Sequence, residues 1–149
     1  MHLERLKDLS VYYWLTNLFA DFTAVNVVDG FPMETLTIPT VSVEWARLAS
    51  SPYELGNRKG DYIRSWYIDV FAINKSQRDD FTYRLVEALE NPIPVYDYDE
   101  GFPPNVSPTQ LGVLLPDDIE IKRIAIMPEL VDKLYYRSQV LFIANYSEV

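Results

Sequence analysis

Cysteine is absent from this 149-residue chain. Disulfides, thiolate metal sites and a cysteine nucleophile are therefore excluded together, as expected of a protein that works in a reducing compartment. Histidine is almost absent too, with His2 the single example. One imidazole and no thiolate cannot assemble a zinc site of the usual ligand types. A general base must be held within hydrogen-bond reach of its substrate, and His2 lies where a chain end is expected to fray. Cations are scarce: 13 Lys and Arg face 22 Asp and Glu, a formal net charge of −9. Phosphate repels such a chain unless a local patch overrides the total. The clusters Arg58-Lys59 and Lys122-Arg123 are too short for that, so sequence-specific nucleic-acid binding is not expected. No apolar run approaches the roughly 20 residues that cross a bilayer, so no membrane partner is expected. The opening MHLERLKDLS places charges through what would be the apolar core of a signal peptide, so secretion by that route is not expected.

Motifs of catalysis are missing as well. No GxSxG or SxxK occurs. The stretch GNRKG (56–60) lacks the glycine spacing and the Lys-Ser/Thr of a phosphate loop. Asp97, Asp99 and Glu100 alternate along YDYDE, but the fixed offsets of a calcium loop are not there, and a solvated acidic loop accounts for them. Asp79-Asp80 and Asp117-Asp118 read as helix-start or turn residues. The sequence therefore assigns no catalytic residue, no metal and no cofactor, and the reading is of a protein that is not an enzyme.

What the chain does have is aromatic surface: 11 Tyr, 7 Phe and 3 Trp. Tyrosine joins apolar area to a hydroxyl that wants a partner, which favours interfaces. A tyrosine-rich sheet is the alternative, since strands also favour aromatics.

The length suits one domain spanning 1–149. Leu3 to Phe19 reads as a helix, with Leu3, Leu6, Leu9 and Tyr13 at three- and four-residue steps. Strands are expected at 24–28 and 37–45, the second with Pro39, Val41, Val43 and Trp45 alternating against polar neighbours. Asp29-Gly30-Phe31-Pro32 reads as a turn between them, and Ala46 to Asp61 as a long loop. Tyr62 to Ile73 reads as a central strand, with Trp66, Ile68 and Val70 toward the core. A helix capped at Ser76, with Asp79 reaching back and Asp79-Asp80 in its first turn, is expected to run to Glu90, burying Phe81 and Leu85. Six prolines make 91–116 an extended connector. Strands at 119–127 and 139–146 follow, separated by a turn or short helix over 129–135. The fold expected is one α+β domain: a mainly antiparallel sheet flanked by an N-terminal helix and a central helix.

The block 62–104 gathers the strongest signals, ending in a loop dense in proline, tyrosine and acid. Tyr96, Tyr98 and Phe102, held by prolines, would present rigid aromatic rings to another chain at low entropic cost. The alternative is that these rings fold back over the helix 76–90 and seal the core.

The order of elements, with IPTVSVEW, YELGNRKG, IDVFAINKSQRDDFTYRLVEAL, IPVYDYDEGFPP and a closing YRSQVLFIANYSE, resembles the tail-terminator (tail-completion) proteins of long-tailed bacteriophages. The resemblance implies a subunit of a hexameric ring that caps the finished tail tube, stops its growth and joins the tail to the capsid connector. Its partners would be copies of itself, the tail tube protein and the head-tail connector proteins. Its place would be the virion tail or neck, after assembly in the host cytoplasm. An acidic surface suits a lumen through which DNA passes without being gripped. Rings need two different complementary surfaces; the long polar loop (Tyr53, Glu54, Arg58) and the aromatic loop (Tyr96, Tyr98, Phe102) are the two expected. A neck adaptor, a tube subunit, or a small-ligand or enzymatic domain built on Tyr, Arg and Asp are the competing readings.

Overall fold

Apolar spacing forms the first helix, α1 (Leu3–Leu18), and burial covers more of it than one stripe: Leu6, Leu9, Val11 and Leu15 are all shielded from water. The sheet explains why. In this computed structural model, which describes residues 1–22, 24–30, 37–52, 60–124 and 136–149, six strands lie in the order β1-β2-β3-β6-β5-β4. They are β1 (Asn26–Asp29), β2 (Thr40–Pro52), β3 (Gly60–Ala72), β4 (Ile93–Asp97), β5 (Thr109–Ile124) and β6 (Tyr136–Glu148), with α2 (Lys75–Ala88) after β3. All neighbours are antiparallel except β1 and β2. Helix α1 touches both outer strands, β1 and β4, so the sheet curls around it.

Pairing register places Val41 and Val43 of β2, Ile68 and Val70 of β3, and Val140 and Phe142 of β6 on one face. All six are buried beneath the helices in one continuous cluster. Each such side chain contributes roughly 1.5–3 kcal/mol on removal from water. Trp66, Phe81 and Leu85 join the cluster, as the sequence leads one to expect.

Several boundaries differ from those expectations, each for a local reason. The loop expected over 46–61 is largely strand: β2 continues to Pro52 and β3 begins at Gly60. A bulge between Trp45 and Arg47 shifts the register by one, which puts Trp45 and Leu48 on the same face and breaks the period of two. The connector expected over 91–116 holds β4 and the first half of β5. Pro94 is tolerated because β4 is an edge strand, and Pro116 because β4 stops pairing at Leu114. Helix α2 is capped by Asn74, two residues before the expected Ser76. The Asn74 side chain accepts from the Gln77 N–H at 2.9 Å, while Gln77 Oε1 accepts from the Ile73 N–H at 2.9 Å. Asp79 and Asp80 consequently fall in the second turn, and Asp79 pairs with Arg78. Asp117-Asp118 marks a bulge in β5, not a turn or helix start; Asp118 takes φ 48°, a left-handed conformation that a short polar side chain tolerates. His2 is no frayed end, since its Nδ1 accepts from the Glu4 N–H and caps α1. Phe31, Pro32 and the segment 129–135 lie outside the described residues.

Candidate functional site

Three regions concentrate polar or aromatic chemistry. The first is buried. Arg64, on the helix-facing side of β3, is 4% exposed and its Nη1 donates to the Glu4 carbonyl (2.9 Å) and carboxylate (3.2 Å). Its Nη2 pairs with Asp8 at 2.9 Å. The same Asp8 oxygen accepts from the Trp66 indole at 2.9 Å, and Lys7 reaches Glu4 at 2.8 Å while lying 4.6 Å from the Tyr146 ring centre. Burial pushes the Asp8 carboxyl above its ordinary value, against the opposing pull of Arg64 and the indole hydrogen bond. This network ties α1 to β3. Its charges are internally matched, which marks it as scaffold.

Beside it, a cleft of about 240 Å³ opens along the β1–β2 margin, lined by Asp8, Asp29, Glu44, Trp45 and Arg5. Trp45 is 51% exposed here, with Arg64 5.8 Å from its ring. An exposed indole among carboxylates suits a cation better than a neutral ligand.

The aromatic loop forms the third region. Tyr98 is buried at 2% exposure and packs on Tyr13 of α1, with ring centres 5.2 Å apart. Burial raises its phenol pKa, partly offset by a hydrogen bond to Ser10. Phe102 stacks on both Tyr13 and Tyr98 yet is 43% exposed. Tyr96 is half-buried, and its backbone N–H donates to Ser10 Oγ at 3.1 Å, so α1 satisfies a donor of the outermost strand. Prolines 94, 103, 104 and 108 complete a cavity of about 420 Å³. The rings do fold back, but onto α1 and not onto the helix 76–90, because the curled sheet brings β4 against α1. The trio thus divides: the Tyr98 ring belongs to the core, and Phe102 offers surface. Gly101, at φ +141°, lets the chain turn between them; a Cβ there would sit 2.6 Å from Val106.

Tyr53, Glu54 and Arg58, the other surface expected from the sequence, lie outside the described residues. Among the described residues no cluster of carboxylates and imidazoles is placed to hold a metal ion, and no helix is long and apolar enough to cross a membrane. The region that sequence reasoning missed is the Trp45 cleft. Asp8, Asp29 and Glu44 are far apart in the chain, and only the β1–β2 pairing and the lie of α1 unite them. Compared with known proteins, the sequence matches no family model and no curated sequence.

Proposed function

We propose that the protein is a structural subunit of the tail-terminator type. It assembles into a ring, six-membered by the resemblance, that caps the phage tail tube, stops its growth and joins it to the capsid connector. It acts by assembly and not by catalysis. The observation that supports this reading is a pair of open strand edges on opposite sides of the sheet. Among the described residues, strand β1 pairs only with residues 40–43 of β2, and β4 only with residues 109–114 of β5. The rest of β2 and of β5 has no neighbouring strand on its outer side among the described residues, with the Trp45 and Asp118 N–H groups answered locally by Glu44 Oε1 and Asp117 Oδ1. Large apolar side chains are exposed along both stretches: Trp45 and Leu48 on β2, Leu115 and Ile121 on β5. An open edge bearing apolar groups is a template for another chain. Two different edges on opposite sides are what a heterologous, ring-closing contact requires. The net charge of −9 suits a lumen that passes DNA.

The purified protein is expected to sediment as a closed oligomer and to block extension of tail tubes polymerising in vitro. Infections lacking it should yield tubes of abnormal length. Normal tubes with unjoined heads would assign it to the neck instead, and a monomer at every concentration that leaves tube length unchanged overturns the reading.

A further inference from the structure

The two open margins differ in charge on their helix-facing sides, although Asp117, Asp118 and Glu120 also stand exposed along β5 and Arg47 along β2. On the β5 side, a cavity of about 330 Å³ is lined by three cations, Lys75, Arg78 and Arg123, and one carboxylate, Asp79, with Tyr83 and Ile121 beside them. Pairing of Ile121 with Val140 and of Arg123 with Ser138 places both on the helix-facing side of the sheet, beside the start of α2. Lys75 and Arg123 are exposed and join no ion pair among the described residues, while Arg78 is held by Asp79 at 3.1 Å. Tyr83 is 63% exposed and Ile121 43%. In a chain of net charge −9, this is a local reversal of sign, framed by an exposed aromatic ring and an exposed aliphatic one-sided patch. Thr82 and Ser138, both 3% exposed, bond to each other at 2.6 Å beneath it, so the floor is already satisfied.

The β1–β2 margin has the complement. Asp29 is exposed and Glu44 half-exposed, and both line the Trp45 cleft together with Asp8 and a single cation, Arg5; Glu44 Oε1 also accepts from the Trp45 N–H at 3.1 Å. Trp45 pairs with Trp66, so it too lies on the helix-facing side. A guanidinium that enters this cleft meets an indole face and two carboxylates together, a combination worth more than a rim ion pair alone.

We propose that the basic β5 margin of one copy docks on the acidic β1–β2 margin of the next, with Arg123 directed at the Trp45 cleft and Lys75 at the carboxylates around it. This rests on the ring reading and names the two surfaces that close the ring. Tyr83 and Ile121 supply the apolar part of the contact, and Trp45 and Leu48 receive it. A second copy fits better than nucleic acid because the apolar groups on both margins would gain nothing from phosphate.

The test uses two charge-reversed proteins, one carrying Lys75→Glu and Arg123→Glu, the other Asp29→Lys and Glu44→Lys. Like charges then face each other within each protein, and self-association measured by sedimentation should weaken roughly 10- to 100-fold for either alone. Mixed in equal amounts, the two present opposite charges again at every contact, and the oligomer should return. Rising salt should weaken the wild-type oligomer. The single-substitution pair Arg123→Glu and Asp29→Lys, both at exposed positions, repeats the experiment with less demand on folding. If the variants form the wild-type oligomer unaided, or fail to complement in both pairs, the proposed surfaces are wrong while the ring reading stands. A wild-type protein that never associates overturns both. Loss of duplex-DNA binding in the Lys75/Arg123 variant with self-association intact would assign the basic margin to phosphate and overturn the docking.

Discussion

Cations occupy two contrasting settings in this molecule. Arg64 and Lys7 are buried, Arg64 matched by Glu4 and Asp8 on α1 and Lys7 by Glu4. Lys75 and Arg123 stand exposed at the far margin of the sheet, without ion pairs among the described residues. The same residue types thus serve different ends. A buried charge is tolerated only when its partners are fixed, so it locks one geometry of α1 against β3. An exposed charge is stable in water as it stands, adds little to folding, and is left over for another surface. The contrast predicts where each substitution will register: in stability for the first pair, in association for the second.

Arg64→Ala tests the buried side most severely. It leaves Glu4 and Asp8 without their shared partner, and a loss of about 3–5 kcal/mol is expected in denaturant titration. A loss under about 1 kcal/mol would show that the network is solvated and the contrast unsound. The aromatic loop repeats the contrast on a smaller scale. Tyr98→Ala should cost about 3 kcal/mol because it empties a packed site between α1 and β4, whereas Phe102→Ala should cost about 1 kcal/mol or less. Similar costs for the two would erase the division between core ring and surface ring.

Acidity sharpens the comparison further. The Asp8 carboxyl has its pKa raised above the ordinary 3.8 by burial, so the folded state holds the proton more tightly than the unfolded state does. Its contribution to stability is therefore present at low pH and fades as pH climbs from 3.8 through the raised value. Asp8→Asn should remove that fall, so the difference between mutant and wild type should move in the mutant's favour as pH rises across this window. An unchanged difference would mean that the pull of Arg64 and the indole cancels burial, and a shift in favour of the wild type that it outweighs burial. Smallest of all, Lys75→Glu and Arg123→Glu should each shift the unfolding free energy by less than about 0.5 kcal/mol. A larger shift would mean that the basic margin serves the fold.

Much of the architecture could be read from local patterns. Helix α1, the core residues Trp66, Ile68, Val70, Phe81 and Leu85, and the α+β class all follow from periodicity, because side chains that share a face must recur at the period of their element. Patterns failed where pairing interrupts the period. The bulge after Trp45 hid the outer half of β2, and proline in strands with an open side hid β4 and the start of β5. The Asn74 cap lay in plain sight as an Asn with a Gln three residues on, but Ser76 with Asp79 offered the same spacing. The surfaces were less accessible. Phe102 and Tyr98 look alike in sequence, and only the position of α1 makes one exposed and the other buried.

By itself the sequence determined composition, charge and local periodicity. These exclude thiol chemistry and the usual zinc sites, weigh against binding to nucleic acid, and settle which residues tend to helix or strand. Tertiary structure alone decided how charge is distributed. Asp29, Glu44 and Trp45 meet at one margin, and Lys75, Arg78 and Arg123 at the other, because strand order and the curl of the sheet bring distant residues together. Net charge is a sum along the chain and is blind to this. The polarity of the subunit arises only when the chain folds.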